Sequence, residues 1–263
     1  MPVGITTILK FSVFIVAIIL AILMFFKAKK TDLKSLLILG FIFIMFSITT
    51  LITVIVDFDI VIFFTSKTLY ITSAIVVLLL YSVFTHYTFY NARKSPFKWL
   101  VLIGTLGLII VEILFIIAIV STGSFVLQND PLSESHINYT INYYILALLT
   151  YLFSGWRFKA SLDSYNEIKG NIAVKGWIKL KYKMVMAICI LQIITSSLQL
   201  LDYSMFKLLI LMVVILSSFI LEVFAWGAPR WLRKWANRNH QIEDESDGMT
   251  EEEILSQLEV DKP

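Results

Sequence analysis

Polar side chains inside apolar helices are the places where this sequence could do chemistry. Across residues 182–203, Cys189, Gln192, Ser196, Gln199 and Tyr203 recur at spacings of 3, 4, 3 and 4, which sets them on one stripe of a helix. Glu112 stands alone in a long apolar run, about 12 Å from its outer end at the helical rise. Lys67 lies near the start of another run, and Asp202 follows the polar stripe. Together Lys67, Glu112, Gln192, Ser196, Gln199 and Asp202 could line a polar pocket open to the outside, binding a ligand by hydrogen bonds and opposite charge. The same groups also suit a purely architectural role as interhelical bonds, each worth about 0.6 kcal/mol in a membrane bundle. A lone deep carboxylate is costly to hold charged, so Lys67 and Glu112 are expected to pair.

A second constellation lies at the opposite depth. His86 and Glu222 each fall about one turn before the inner end of their run. A histidine changes charge near neutral pH, so the two could form a latch between helix ends. Two polar tips that never touch are the plainer alternative.

Catalytic signatures are missing. The chain contains no HExxH, GxSxG, Walker A or GxGxxG pattern, and His86, His136 and His240 are too scattered to share a metal. The single cysteine, Cys189, excludes an intramolecular disulfide and a CxxC pair. No enzymatic activity, cofactor, metal or nucleic-acid partner is expected. A retinal Schiff base would need a lysine near Val213 to Ser217, whereas the last run has only Lys207 at its outer rim.

The elements that must position these residues are membrane helices. Apolar residues make up 58% of the 263 and charged residues 16%, with a mean hydropathy of +0.83, so lipid is the solvent for much of the surface. Seven runs, roughly 5–26, 35–56, 63–90, 98–120, 139–156, 182–203 and 206–226, are long enough to span about 30 Å of hydrocarbon. The first is followed by Lys27, Lys29 and Lys30, the reverse of a cleavable signal, and is expected to be retained.

Charge sets the orientation. Loops 1–2, 3–4 and 5–6, together with the stretch after the last run, hold 18 of the 22 basic residues, and that side is cytoplasmic. The expected fold is therefore an all-α integral membrane bundle of seven transmembrane helices, N-terminus outside and C-terminus cytoplasmic. Residues 1–226 form the bundle and 227–263 a cytoplasmic tail. The tail opens with Arg230, Trp231, Arg233, Lys234 and Trp235, which predict a short amphipathic helix along the membrane interface. An acidic stretch and a capping-box pattern at Thr250 and Glu253 follow.

The five prolines all lie outside the runs, unlike the broken helices of alternating-access carriers. A receptor-like or sensor-like protein of the cell (plasma) membrane is the expected function. It would pass an outer-face or membrane-borne signal to a cytoplasmic partner through loop 157–181 and the tail at 250–260. A small channel or transporter using Glu112 and the polar stripe is the alternative, and a non-catalytic scaffold or accessory subunit a further one.

Overall fold

The computed structural model describes residues 3–31, 34–58, 64–90, 95–123, 134–171, 174–200, 205–227 and 229–238. The described residues form eight helices: α1 (Val3–Thr31), α2 (Lys34–Phe58), α3 (Phe64–Phe89), α4 (Phe97–Thr122), α5 (Glu134–Ile168), α6 (Gly176–Gln199), α7 (Met205–Gly227) and α8 (Arg230–Ala236). Their boundaries follow backbone chemistry. Pro96 stands at the N-cap of α4, while Gly123, at φ 61°, closes its other end by donating its N–H to the Ile119 carbonyl. Inside α2, the hydroxyls of Ser47, Thr49 and Thr50 donate to carbonyls four residues back, so the run stays helical despite its polar residues.

Among the described residues, five helices are long and apolar enough to cross a membrane: Lys10–Lys30, Lys34–Val54, Lys67–Phe89, Phe97–Thr122 and Leu209–Gly227. The protein is therefore a multi-pass membrane protein. α5 and α6 have 35 and 24 residues but carry more polar side chains, among them the buried Asn142, Ser154, Arg157, Ser161 and Lys181.

Six of the long helices form a ring, in the order α1, α2, α3, α5, α6, α7 and back to α1. α4 stands outside it, packed on α3 and α5. Glycine makes that approach possible. A Cβ on Gly104 would fall 2.5 Å from Leu79 Cδ2, and one on Gly107 2.8 Å from Leu149 Cδ1. Along the rest of α4, Ile109, Ile110, Ile113, Ile116 and Ile117 are exposed, a surface made for lipid.

α5 corrects an expectation. The run expected to end at residue 156 continues as helix to Ile168, and α6 starts at Gly176. The expected loop 157–181 therefore shrinks to 169–175. Ile168 and Val174, inside that expected loop, are buried in the main core. The tail beyond residue 238, with its expected helix at 250–260, lies outside the described residues.

Candidate functional site

A cavity of about 440 Å³ occupies the centre of the ring. α1, α2, α3, α5, α6 and α7 all contribute to its wall, and α4 does not. α3 supplies Lys67, Tyr70, Ala74, Val77, Leu78 and Tyr81, a single inward face at spacings of three and four. Lys10 of α1 also lines it. Lys10 and Lys67 lie at the end away from α8. This follows from the far ends of the same helices, since Lys27 of α1 donates to the Trp226 carbonyl and Phe89 of α3 packs on Tyr182 of α6, both near α8.

The floor of the cavity is ionic. Glu222 of α7 lines it and accepts a hydrogen bond from Arg157 Nη2 of α5 at 2.7 Å, each side chain being 2% exposed. The Tyr81 hydroxyl donates to the same oxygen, Oε1, at 3.3 Å. The guanidinium also lies 4.6 Å from the Tyr81 ring centre and 5.6 Å from that of Phe84, where ring faces attract a cation. Three helices thus meet on one buried pair. Beside it a pocket of about 10 Å³, bounded by Tyr81, Ser82, Ser154, Arg157 and Gln192, is at the lower limit for one water. Among the described residues no hydrogen-bonding partner reaches Glu222 Oε2 or Arg157 Nε and Nη1.

Helix phase places the pair. On α7, Met212, Ile215, Phe219, Glu222 and Trp226 follow one another at spacings of 3, 4, 3 and 4, and Met212, Phe219, Glu222 and Trp226 are buried. On α5, Leu146, Phe153, Arg157 and Ala160 share the buried face. Arg157 had been assigned to a loop because hydropathy falls there. Its phase relative to Leu146 and Phe153 was the signal in the sequence, together with the need of Glu222 for a buried counter-charge.

Of the six residues expected to form a pocket, Lys67, Gln192 and Ser196 line the cavity. Gln192 accepts a hydrogen bond from Ser154 at 3.1 Å. Glu112 is not among the lining residues. It sits on the peripheral α4, where it accepts a hydrogen bond from Thr72 at 2.6 Å, and the expected Lys67–Glu112 pair is replaced by that bond. Thr72 is five residues beyond Lys67, about 140° round the helix from it, so the faces that carry them differ. Lys67 lies 5.7 Å from the Tyr139 ring centre. The Gln199 side chain and Asp202 lie outside the described residues.

The structure does not bring His86 and Glu222 together, for the same geometric reason. His86 is five residues beyond Tyr81 and stacks on Phe97 of α4, with centroids 4.6 Å apart and planes at 14°. It faces out of the ring, while Glu222 faces in and takes Arg157.

One turn beyond Glu222, Trp226 joins the floor to α8. Its ring meets Phe84 edge to face at 4.8 Å and carries the Lys181 ammonium at 3.9 Å. α8 is docked on the start of α6. The Asn237 side chain accepts the Trp177 backbone N–H at 2.9 Å, and a Cβ on Gly176 would fall 2.3 Å from the Ala236 carbonyl oxygen. Leu232 points inward and is buried. Arg230, Trp231, Arg233, Lys234 and Trp235 are exposed, Trp231 and Trp235 at 62% and 59%.

Comparison with protein-family models, curated protein sequences and solved structures yields no match to this chain.

Proposed function

We propose that the chain is a seven-helix membrane receptor or sensor, its N-terminus outside, which reports the state of its central cavity to a cytoplasmic partner. α5 and α6 cross the bilayer with the five apolar spans, because they fill the ring between α3 and α7. The basic helix ends and α8 face the cytoplasm by the rule that Lys and Arg stay inside. Exposed Trp231 and Trp235 anchor α8 at the headgroups, with Arg230, Arg233 and Lys234 on anionic lipid.

The observation that carries the reading is continuity between cavity and α8. Glu222 is both part of the cavity wall and one turn from Trp226, and Trp226 carries Lys181 of α6, the helix on which α8 is docked. An occupant that shifts the Arg157–Glu222 pair moves that seam, and α8 with the turn at 169–171 offers the altered surface to the partner.

Reporter fusions test the orientation. A reporter active only in the cytoplasm works after Asn91, after Lys169 and at the C-terminus, and is silent at Asp130; activity at Asp130 overturns the topology. Hydrogen exchange tests the coupling. Glu222→Gln accelerates exchange at 229–238, and unchanged exchange there removes the signalling route.

Transport is the second reading, favoured by an ion pair on a cavity floor. It proceeds without Glu112, which is not part of the wall, and predicts ion or solute flux in reconstituted vesicles that Glu222→Gln abolishes.

A further inference from the structure

Resting on the reading of the cavity as a ligand site, we infer that its occupant is an uncharged, largely apolar molecule carrying one carbonyl-type acceptor, which docks on Gln192 and Ser196 of α6.

Most hydroxyls in the wall are committed to their own helices. Thr49, Thr50 and Thr53 of α2, Thr150 of α5 and Ser218 of α7 donate to carbonyls three or four residues back at 2.7–2.9 Å. α6 differs. Gln192, Thr195 and Ser196 all line the cavity, and the Gln192 side-chain oxygen accepts from Ser154 at 3.1 Å. Among the described residues no partner reaches the Gln192 NH2 or the hydroxyls of Thr195 and Ser196. Ser196 is 5% exposed, so what its hydroxyl meets lies in the cavity.

Open donors in such a space ask for an acceptor, because a buried polar group without a partner is costly. Gln192 and Ser196 are four residues apart and share a helix face. Two donors one turn apart suit the two lone pairs of a single carbonyl oxygen. Gln192 also bounds the small pocket beside Arg157, so a carbonyl drawn onto its amide acts one side chain from the ion pair.

The rest of the wall argues for an uncharged body. Phe46, Val77, Leu78, Ile188, Ile215 and Phe219 supply much of it, and a charged ligand would shed its water against them. Glu222 on the floor is held by Arg157, and Lys10 and Lys67 at the far end already have partners of their own. None of these charges calls for a counter-charge on the occupant. The volume of about 440 Å³ is roughly three times that of a cavity that accepts benzene, which admits a body of two rings.

The test uses the full chain in nanodiscs of zwitterionic lipid, with benzophenone as photolabel. Its excited ketone inserts into C–H bonds and favours methionine. Met212 lines the cavity, whereas Met24 and Met184 are buried away from it, so peptide mapping finds the label at Met212 and not at the other two. Four two-ring competitors then report the chemistry: benzanilide, which carries a carbonyl, its hydrocarbon counterpart bibenzyl, diphenylacetate and dibenzyldimethylammonium. Benzanilide protects Met212 at a concentration at least about tenfold below that of the other three. Gln192→Leu with Ser196→Ala removes that preference while bibenzyl protects as before, which shows a folded protein. Ser196→Ala alone, the milder change, lowers it about threefold. No label at Met212, protection by bibenzyl, the acid or the cation equal to that by benzanilide, or a preference that survives in both variants overturns the assignment. Selective benzanilide binding that leaves hydrogen exchange in α8 unchanged keeps the ligand class and removes the receptor reading. An α8 response to the acid or the cation, without a carbonyl preference, does the reverse.

Discussion

Arg157 and Glu222 meet at 2.7 Å across 65 residues of sequence, and every helix of the ring touches either one of them or a helix that carries one, α2 through Phe43 and Phe46 on Phe219 of α7. The bond therefore ties α5 to α7 across the ring as well as flooring the cavity. Burial of two charges is costly, and their mutual attraction repays it only while both are present.

Removing one partner is accordingly the severest single change available. Arg157→Met or Glu222→Leu alone is expected to cost about 3–5 kcal/mol, and the two together much less, since the apolar pair leaves no orphaned charge. Reversible unfolding in mixed micelles gives the three values. A double variant as unstable as the sum of the singles would show that the charges do not depend on each other.

Gly176→Ala strikes the seat of α8. Its new methyl would fall 2.3 Å from a backbone oxygen that cannot move alone, so α8 lifts and protease cuts within 229–238 faster. Gly155→Ala is the matched control, because its Cβ meets nothing within 4 Å. Inside a helix that change is neutral or stabilising by about 0.5–1 kcal/mol. Equal proteolysis of the two variants would refute the docking.

The place of α4 outside the ring predicts a separation of effects. Gly104→Val drives side-chain bulk into Leu79 and Phe153 and costs about 1–3 kcal/mol through overpacking. Benzanilide binding in the cavity stays within about twofold of wild type. Stability and binding lost in parallel would mean that α4 shapes the wall.

Glu112→Gln separates the earlier reading of the pocket from the observed one. The amide still accepts from Thr72, so stability shifts by less than about 1 kcal/mol, and cavity binding is unchanged. A tenfold drop in binding would return Glu112 to the site.

Hydropathy made much of this fold legible. The runs expected at 35–56, 63–90 and 98–120 lie close to α2, α3 and α4, because twenty apolar residues in lipid have no alternative to a helix. The same method misplaced Arg157. A hydropathy window scores each side chain as if it faced lipid, and so it ends a helix at the arginine that an interior carboxylate holds in place. Phase along the helix carries the missing information. It gave the stripe that brought Gln192 and Ser196 to the wall, and it would have assigned His86 and Thr72 to faces turned from the cavity. The peripheral position of α4 was not legible, since nothing in its composition says which two helices it leans on.

The ring also sets a schedule for biosynthesis. α3 and α5 run in the same direction, with α4 crossing back outside them, so on the proposed seven-span topology the wall is half built when Arg157 enters the membrane. Its partner is 65 residues further along the chain, roughly 3 to 13 s later at ribosomal speed. For that interval a membrane-spanning α5 would hold an arginine, at a cost that reaches about 2.5–3.5 kcal/mol at a helix centre, with no Glu222 to receive it. The nascent chain would then keep α5 beside water or the insertion machinery until α7 emerges. A truncation anywhere between the two would leave a helix the membrane rejects, and so a ready mark for quality control.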